Sequence, residues 1–200
     1  NQLSLKMIRN NLRDIFETEK IIENTGIVLN MKVFRDDIYI SYVNEIKKDC
    51  FNTSVLKAKL NFKKIIFEPV FSPKKCVKKN NPYGEFYILE AGGALEFIDE
   101  TKLFLSTGTF RYRDLAQLKD NIFGKILMID INKNSNKVIS MGHRNVQGMF
   151  YDKKKDILFS IDHGPVSYTH LRAHETLMNL VCRLLLEKRP CLPSGGRAAC

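Results

Sequence analysis

Three hydrophobic runs in this chain repeat one another: "DDIYISY" from Asp36 to Tyr42, "ETKLFLST" from Glu100 to Thr107, and "KKDILFSI" from Lys154 to Ile161. Each has a charged turn, then hydrophobic residues, then a serine: Ser41, Ser106 and Ser160. The serines are 65 and 54 residues apart, which leaves room for two or three further short strands in each interval. That is about one four-stranded sheet per repeat. A small sheet cannot cover both of its faces until neighbours stack against it, so the repeat predicts an all-β chain built as part of a β-propeller, with about three blades present. A β-sandwich accounts for the strand lengths but gives no reason to repeat a unit of this size.

The remaining β signals agree. "SVLKAKL", "KKIIFEPV", "ALEFI", "GKILMIDI" and "KVISMG" are short runs rich in Ile, Val and Phe, bounded by turn-forming or charged residues. Helical periodicity is confined to "LRDIFETEKIIE" near the start and, weakly, to "DLAQLKDNI". With 44% hydrophobic residues the chain can build a core. No apolar stretch approaches the roughly 18 residues that span a bilayer. The opening "NQLSLKMIRNNL" has no initiating Met and no charged-then-apolar leader, which predicts an internal start.

The net charge of +10 invites a nucleic-acid reading. Before residue 166, however, lysine far outnumbers arginine and travels with Asn and Ile, a mixture that AT-rich coding DNA produces. These lysines are scattered between strands rather than gathered on one face, so they read as solvated surface and no nucleic-acid partner is expected. Cys50 and Cys76 precede residue 166 without a CxxC spacing or a neighbouring histidine. Idle thiols and a disulfide between them both remain open.

After residue 165 the character changes. "HLRAHETLMNLVCRLLLEK" reads as an amphipathic helix through Leu177, Leu180, Leu184 and Leu185, followed by the loop-like "RPCLPSGGRAAC". His170 and His174 would share one helix face, as zinc ligands can, but no third ligand is suggested. "VSYTHLRAHET" and "LVCRLLLEK" also resemble, in a single reading frame, the two ends of a translated transposon-derived sequencing adapter, with room between them for a variable index. The expected organisation is therefore a partial propeller over residues 1–165 and a non-native helical tail over 166–200.

Within the propeller segment, the densest polar chemistry is "ISMGHRNVQGMFYD", Ile139 to Asp152. His143, Arg144, Asn145 and Gln147 crowd one tight connection between Gly142 and Gly148. A loop that merely reversed the chain would favour Gly, Asn, Asp or Pro. Arg offers a planar fork suited to carboxylates, and Asn and Gln add neutral donors and acceptors. The residues support two readings, a site for a flat, multiply anionic ligand or a polar network that pins neighbouring blades.

"GHRNVQGMFYD…DILFSIDHGP" resembles the "GHRNPQG…EHGP" signature of the soluble quinoprotein glucose/sorbosone dehydrogenase family. "GGALEF…KLFLSTGTFRYRDLAQ…FGKILMIDI" is similar to that family's preceding blade, and the similarity runs from about Gly26 to Pro165. The resemblance implies a six-bladed propeller carrying pyrroloquinoline quinone (PQQ), with calcium as a second cofactor, and oxidation of an aldose at its anomeric carbon. It implies quinone contacts from Arg144, Asn145 and Gln147, and calcium ligation by the carbonyls of Gly164 and Pro165. A periplasmic or secreted setting comes from the resemblance alone.

One departure bears on catalysis. The family places a catalytic histidine just before the Gly-Gly that starts this blade, where this chain has Leu89, Glu90 and Ala91 before Gly92 and Gly93. No catalytic residue is therefore assigned; Glu90 reads as an exposed carboxylate and a weak base. Ala94 replaces a basic residue, and Val146 replaces the proline of the family loop. The alternative to an enzyme is a degenerate, non-catalytic propeller that binds a sugar, a quinone or a protein partner. The sugar and the electron acceptor are not legible.

Overall fold

The computed structural model describes residues 7–18, 27–80, 85–133 and 135–163, and the backbone of residues 169–175. In chain order the elements begin with β1 (Arg9–Asn10), α1 (Leu12–Thr18), β2 (Val28–Phe34), β3 (Asp37–Lys47) and β4 (Cys50–Lys59). There follow β5 (Lys64–Ile65), β6 (Glu68–Phe71), β7 (Val77–Lys78), β8 (Gly92–Phe97) and β9 (Lys102–Thr107). A 3₁₀ turn (Arg113–Ala116) leads to β10 (Lys125–Asp130), β11 (Ser135–Met141), β12 (Val146–Asp152), β13 (Ile157–His163) and β14 (Thr169–Glu175).

Three antiparallel sheets form in sequence order: β2-β3-β4-β6 with β7 on the free part of β4, then β8-β9-β10-β11, then β12-β13-β14. The inner strand β8 packs on β2 and β3 of the sheet before it, and β12 packs in the same way on β8 and β9. This repeated step, a meander whose first strand faces the preceding sheet, makes the three sheets successive blades of a β-propeller.

Side-chain alternation explains the stacking. Along β9, Leu103 and Leu105 join the core shared with Tyr39, Val43 and Val55 of the first blade. Phe104, between them, faces the other way, into a cluster with Ile126 and Leu158 of the third blade. Strand β10 does the same, with Leu127 and Ile129 on one face and Ile126 on the other. Since successive strand residues point to opposite faces, a blade needs apolar residues at both parities, and the middle blade has them. The outer face of the first blade is covered by α1, whose Leu12, Ile15 and Phe16 lie at helical spacing over Ile38, Ile40 and Tyr42.

All three repeat serines are fully buried, and two of them tie one blade to the next. Ser41 Oγ donates to the Gly93 carbonyl at 2.5 Å, and Ser106 Oγ donates to the Val146 carbonyl at 2.7 Å. Gly93 and Val146 both lie at the start of the following blade's inner strand.

Two sequence expectations differ from the structure. The sequence predicts a helix from His170, yet Thr169–Glu175 form β14, paired antiparallel with β13. The apolar residues that suggested a helix lie beyond Thr176, whereas "THLRAHE" alternates polar and apolar, and the open edge of β13 offers backbone partners to such a segment. Residues 176–200, including the rest of that helix, lie outside the described residues. The weak helical signal at "DLAQLKDNI" is one 3₁₀ turn. Its carbonyls are taken elsewhere: Asn121 Nδ2 donates to Leu115 and Leu118, and the Lys125 ammonium donates to Leu115, Ala116 and Phe123. A continuing helix would need those acceptors.

Cys50 and Cys76 form a disulfide, with Cα atoms 5.3 Å apart. It closes β4 onto the segment leading into β7, where Cys50 and Phe51 pair with Lys78 and Val77.

Candidate functional site

At the end of the sheets where β8 and β12 begin, a cleft of about 400 Å³ is lined by Tyr87, Leu89, Glu90, Arg111, Arg144, Asn145, Gln147 and His163. The segments that build it are held by backbone hydrogen bonds. Gly142 N–H donates to Ala116, His143 N–H to Gly124, and Thr109 N–H to the Arg144 carbonyl. Asp162 then takes the next two amides, Asn145 N–H at 2.9 Å and Arg144 N–H at 3.3 Å. The loop thus spends its backbone donors on fixed partners, which leaves its side chains to set the chemistry.

His143 is fully buried, with Nε2 2.7 Å from Ser140 Oγ and Nδ1 3.4 Å from Asp162 Oδ2. Burial alone would push the Asp162 carboxyl up. Hydrogen bonds from His143 and from the Asn145 and Arg144 amides outweigh it and hold the group below the usual aspartate range.

Asn145 lines the cleft but turns inward. Its Oδ1 accepts the Gly92 N–H at 3.0 Å and its Nδ2 donates to the Leu89 carbonyl at 3.4 Å. It therefore clasps the chain on either side of Glu90. The same turn is pressed against the end of β9. Gly108 N–H donates to the Ala91 carbonyl at 2.7 Å, and a Cβ on Gly108 would lie 1.9 Å from the Glu90 carbonyl oxygen. Gly92, at φ +72°, completes this close crossing; there a side chain would meet backbone at 2.8 Å.

Glu90 corrects the sequence reading. It is buried, with its side chain only 6% exposed. Its Oε1 accepts from Arg144 Nη2 at 2.5 Å and lies 3.5 Å from Arg111 Nε. Its Oε2 is buried and has no hydrogen-bond partner among the described residues. The hydrogen bond to Glu90 outweighs partial burial and makes the Arg144 guanidinium still harder to deprotonate. Arg111 also lies over the Tyr87 ring, 4.8 Å from its centroid.

Of the residues singled out from sequence, Arg144 and Gln147 present their side chains at the cleft, and Asn145 buttresses its wall. Of the three residues before Gly-Gly, Leu89 and Glu90 line the cleft, while Ala91 belongs to the core between the first two blades. Gly164 and Pro165 lie outside the described residues, and among those described no group of three or more His, Cys, Asp or Glu could hold a metal ion. The sequence did not point to Tyr87, Arg111 or Asp162. Asp162 sits inside the quoted "SIDHGP", but nothing in the run distinguishes it from a surface aspartate.

Two guanidinium groups against one carboxylate leave the described lining with an excess of positive charge. With a neutral amide in Gln147 and an aromatic face in Tyr87, this donor set fits a flat anionic ligand, and the volume falls in the roughly 300–1,000 Å³ range of small-molecule sites.

Comparison with known proteins agrees with the fold. Residues 26–173 match the family model described as glucose/sorbosone dehydrogenase. Among solved structures, a glucose dehydrogenase is 20% identical with a TM-score of 0.62, covering 76% of this chain and 52% of its own. The apo form of the soluble aldose sugar dehydrogenase from Escherichia coli is 22% identical with a TM-score of 0.57, covering 70% and 43%. The PQQ-bound form of an aldose sugar dehydrogenase from Streptomyces coelicolor is 21% identical with a TM-score of 0.51, covering 70% and 41%. No curated protein matches significantly. The chain spans about half the length of the solved structures it resembles.

Proposed function

Because this chain belongs to the glucose/sorbosone dehydrogenase family, we propose that its cleft binds PQQ and that the whole protein oxidises an aldose at the anomeric carbon. The observation that carries the reading is the convergence of Arg111, Arg144 and Gln147 on one cleft. When bound, the quinone supplies a two-electron acceptor for a hydride from the sugar. Arg144 and Arg111 would hold its carboxylates, Gln147 would add a neutral hydrogen bond, and Asn145 would keep the wall from moving by clasping Leu89 and Gly92. The calcium of this proposal would lie on the carbonyls of Gly164 and Pro165.

We place the propeller segment at residues 1–165 and treat 166–200 as foreign sequence; resequencing across the codons of Asp162 to Val166 tests that boundary. A periplasmic or secreted setting is supported by the Cys50–Cys76 disulfide, since such bonds persist in oxidising compartments.

A second reading, a binding propeller without turnover, is favoured by one observation. The carboxylate beside the Gly-Gly is already engaged by Arg144 rather than standing as a histidine base. Titration of the protein with PQQ, with and without calcium, followed by a dye-linked aldose assay separates the two. Saturable quinone binding with aldose turnover supports the enzyme; binding with no turnover supports the second reading. No quinone binding overturns both as stated for this cofactor.

A further inference from the structure

We infer that the groove beside the Cys50–Cys76 bridge is the docking surface for an acidic segment of a partner protein, one apolar side chain of which inserts between the first two blades. The inference is independent of the quinone reading. The groove has a volume of about 470 Å³ and lies between two walls. Lys75, Cys76 and Lys78 of the first blade line one, and Tyr112, Leu115 and Phe123 of the second line the other. It opens at the same end of the sheets as the cleft, because the β3–β4 turn and the β9–β10 connection lie where β2 and β8 begin.

Lysines that look scattered in sequence gather here. Strand β7 folds back on β4 and pairs Lys78 with Cys50, and Lys79 N–H donates to the Asp49 carbonyl at 3.1 Å. With the bridge at Cys76, this brings the exposed Lys47, Lys48, Lys74, Lys75, Lys78 and Lys79 to one corner of the blade. None of the six forms an ion pair among the described residues. The segments 47–50, 74–80 and 112–123 carry eight cationic side chains against three aspartates, Asp49, Asp114 and Asp120. Such an excess steers an acidic partner in and repels a basic one.

Both walls are fixed before anything binds. Tyr112 Oη donates to the Lys78 carbonyl at 2.6 Å and so joins them. Asn52 Nδ2 donates to the carbonyls of Pro73 and Lys75 at 2.7 and 3.2 Å, and Asn121 Nδ2 holds those of Leu115 and Leu118. A pre-set groove spares a ligand the ordering cost of building one. Its lining is largely apolar: Val77 and Phe123 are buried, and Leu115 is half-buried. Lysine charge around an apolar slot fits carboxylates that flank an apolar side chain. A single-stranded nucleic acid would need exposed aromatic faces to stack on. Phe123 is too buried to offer one, and Tyr112 is tied across the groove by its hydroxyl.

The test is fluorescence anisotropy of the whole chain with a short labelled peptide of glutamates around one phenylalanine. The same peptide with serine in that place, and a labelled single-stranded oligonucleotide, run alongside. Two double variants carry the same change of charge. Lys78→Glu/Lys79→Glu alters the groove, and Lys154→Glu/Lys155→Glu alters the exposed β12–β13 turn at the opposite end of the sheets. The phenylalanine peptide is expected to bind more weakly as salt rises. It should lose at least about tenfold on Lys78→Glu/Lys79→Glu and change less than about twofold on Lys154→Glu/Lys155→Glu. Serine for phenylalanine should cost about tenfold on wild type, the scale of withholding one buried aromatic side chain. Equal losses on the two variants mean diffuse attraction to a basic protein and overturn the proposal. Equal affinities for the two peptides, tighter oligonucleotide binding at the same lysines, or no peptide binding overturn it as well. The peptide pair on wild type decides the matter alone if a variant does not fold.

Discussion

Asn145 Oδ1 accepts the backbone N–H of Gly92 at 3.0 Å, across the seam between the second and third blades. The polar loop of one blade thus fixes the glycine turn of the other, and through it the position of Glu90. Asn145→Ala would leave the Gly92 amide buried and unpaired, and should lower stability by roughly 1–3 kcal/mol. Urea unfolding of variant and wild type measures this; an unchanged midpoint at equal slope would show that water replaces the amide without loss.

Asp162 should shape the acid limb of stability. Its carboxyl is held below the usual value, so as pH falls the unfolded chain takes up the proton first. The stabilisation is complete above the unfolded value of about 3.9 and is lost as pH drops through the lower folded value. Asp37 and Asp99 are shifted in the same direction, so the diagnostic is the comparison with Asp162→Asn. That variant should be less stable near neutral pH and show a shallower decline below pH about 4. Parallel acid limbs for the two proteins would remove Asp162 from this role.

Lys125 governs the alkaline side. Burial pushes its ammonium down from 10.5 to about 8, while the carbonyls of Leu115, Ala116 and Phe123 accept its three protons. Between those values the unfolded chain retains a proton that the folded chain has released, so stability should rise with pH across the window. The rise is at most about 3 kcal/mol, because the three hydrogen bonds favour the charged form. Lys125→Met should abolish the rise, which denaturant melts between pH about 7 and 10 would detect.

The Cys50–Cys76 bond spans 26 positions of sequence. Reduction should cost roughly 3.5 kcal/mol through the freed unfolded chain. Thermal melts with and without reductant, set against the Cys50→Ser/Cys76→Ser double variant, give the figure. A melting temperature indifferent to reductant would show the bridge to be dispensable.

Much of this was legible from sequence because blades advertise themselves locally. Hydrophobic parity along "KLFLST" already says that Leu103 and Leu105 face one neighbour and Phe104 the other. What sequence hid was long-range. Glu90 looked exposed because "YILEAGG" shows nothing of Gly108 pressing on it or of two arginines converging from Arg111 and Arg144. Asp162 is separated by 18 positions from the amide of Arg144 that it anchors. Cys50 and Cys76 carry no spacing signal, and their pairing follows from β7 folding back on β4. The helical reading from His170 failed where a free strand edge outweighed a periodicity contributed mostly by later residues.

The buried serine joints give the chain a polarity. Ser41 reaches forward to Gly93 and Ser106 forward to Val146, and Ser160 occupies the matching place in the third sheet. Both of these joints run donor-first along the chain, so each of the first two blades offers a hydroxyl to the carbonyl that opens the next, and the seam between blades has a direction as well as a position.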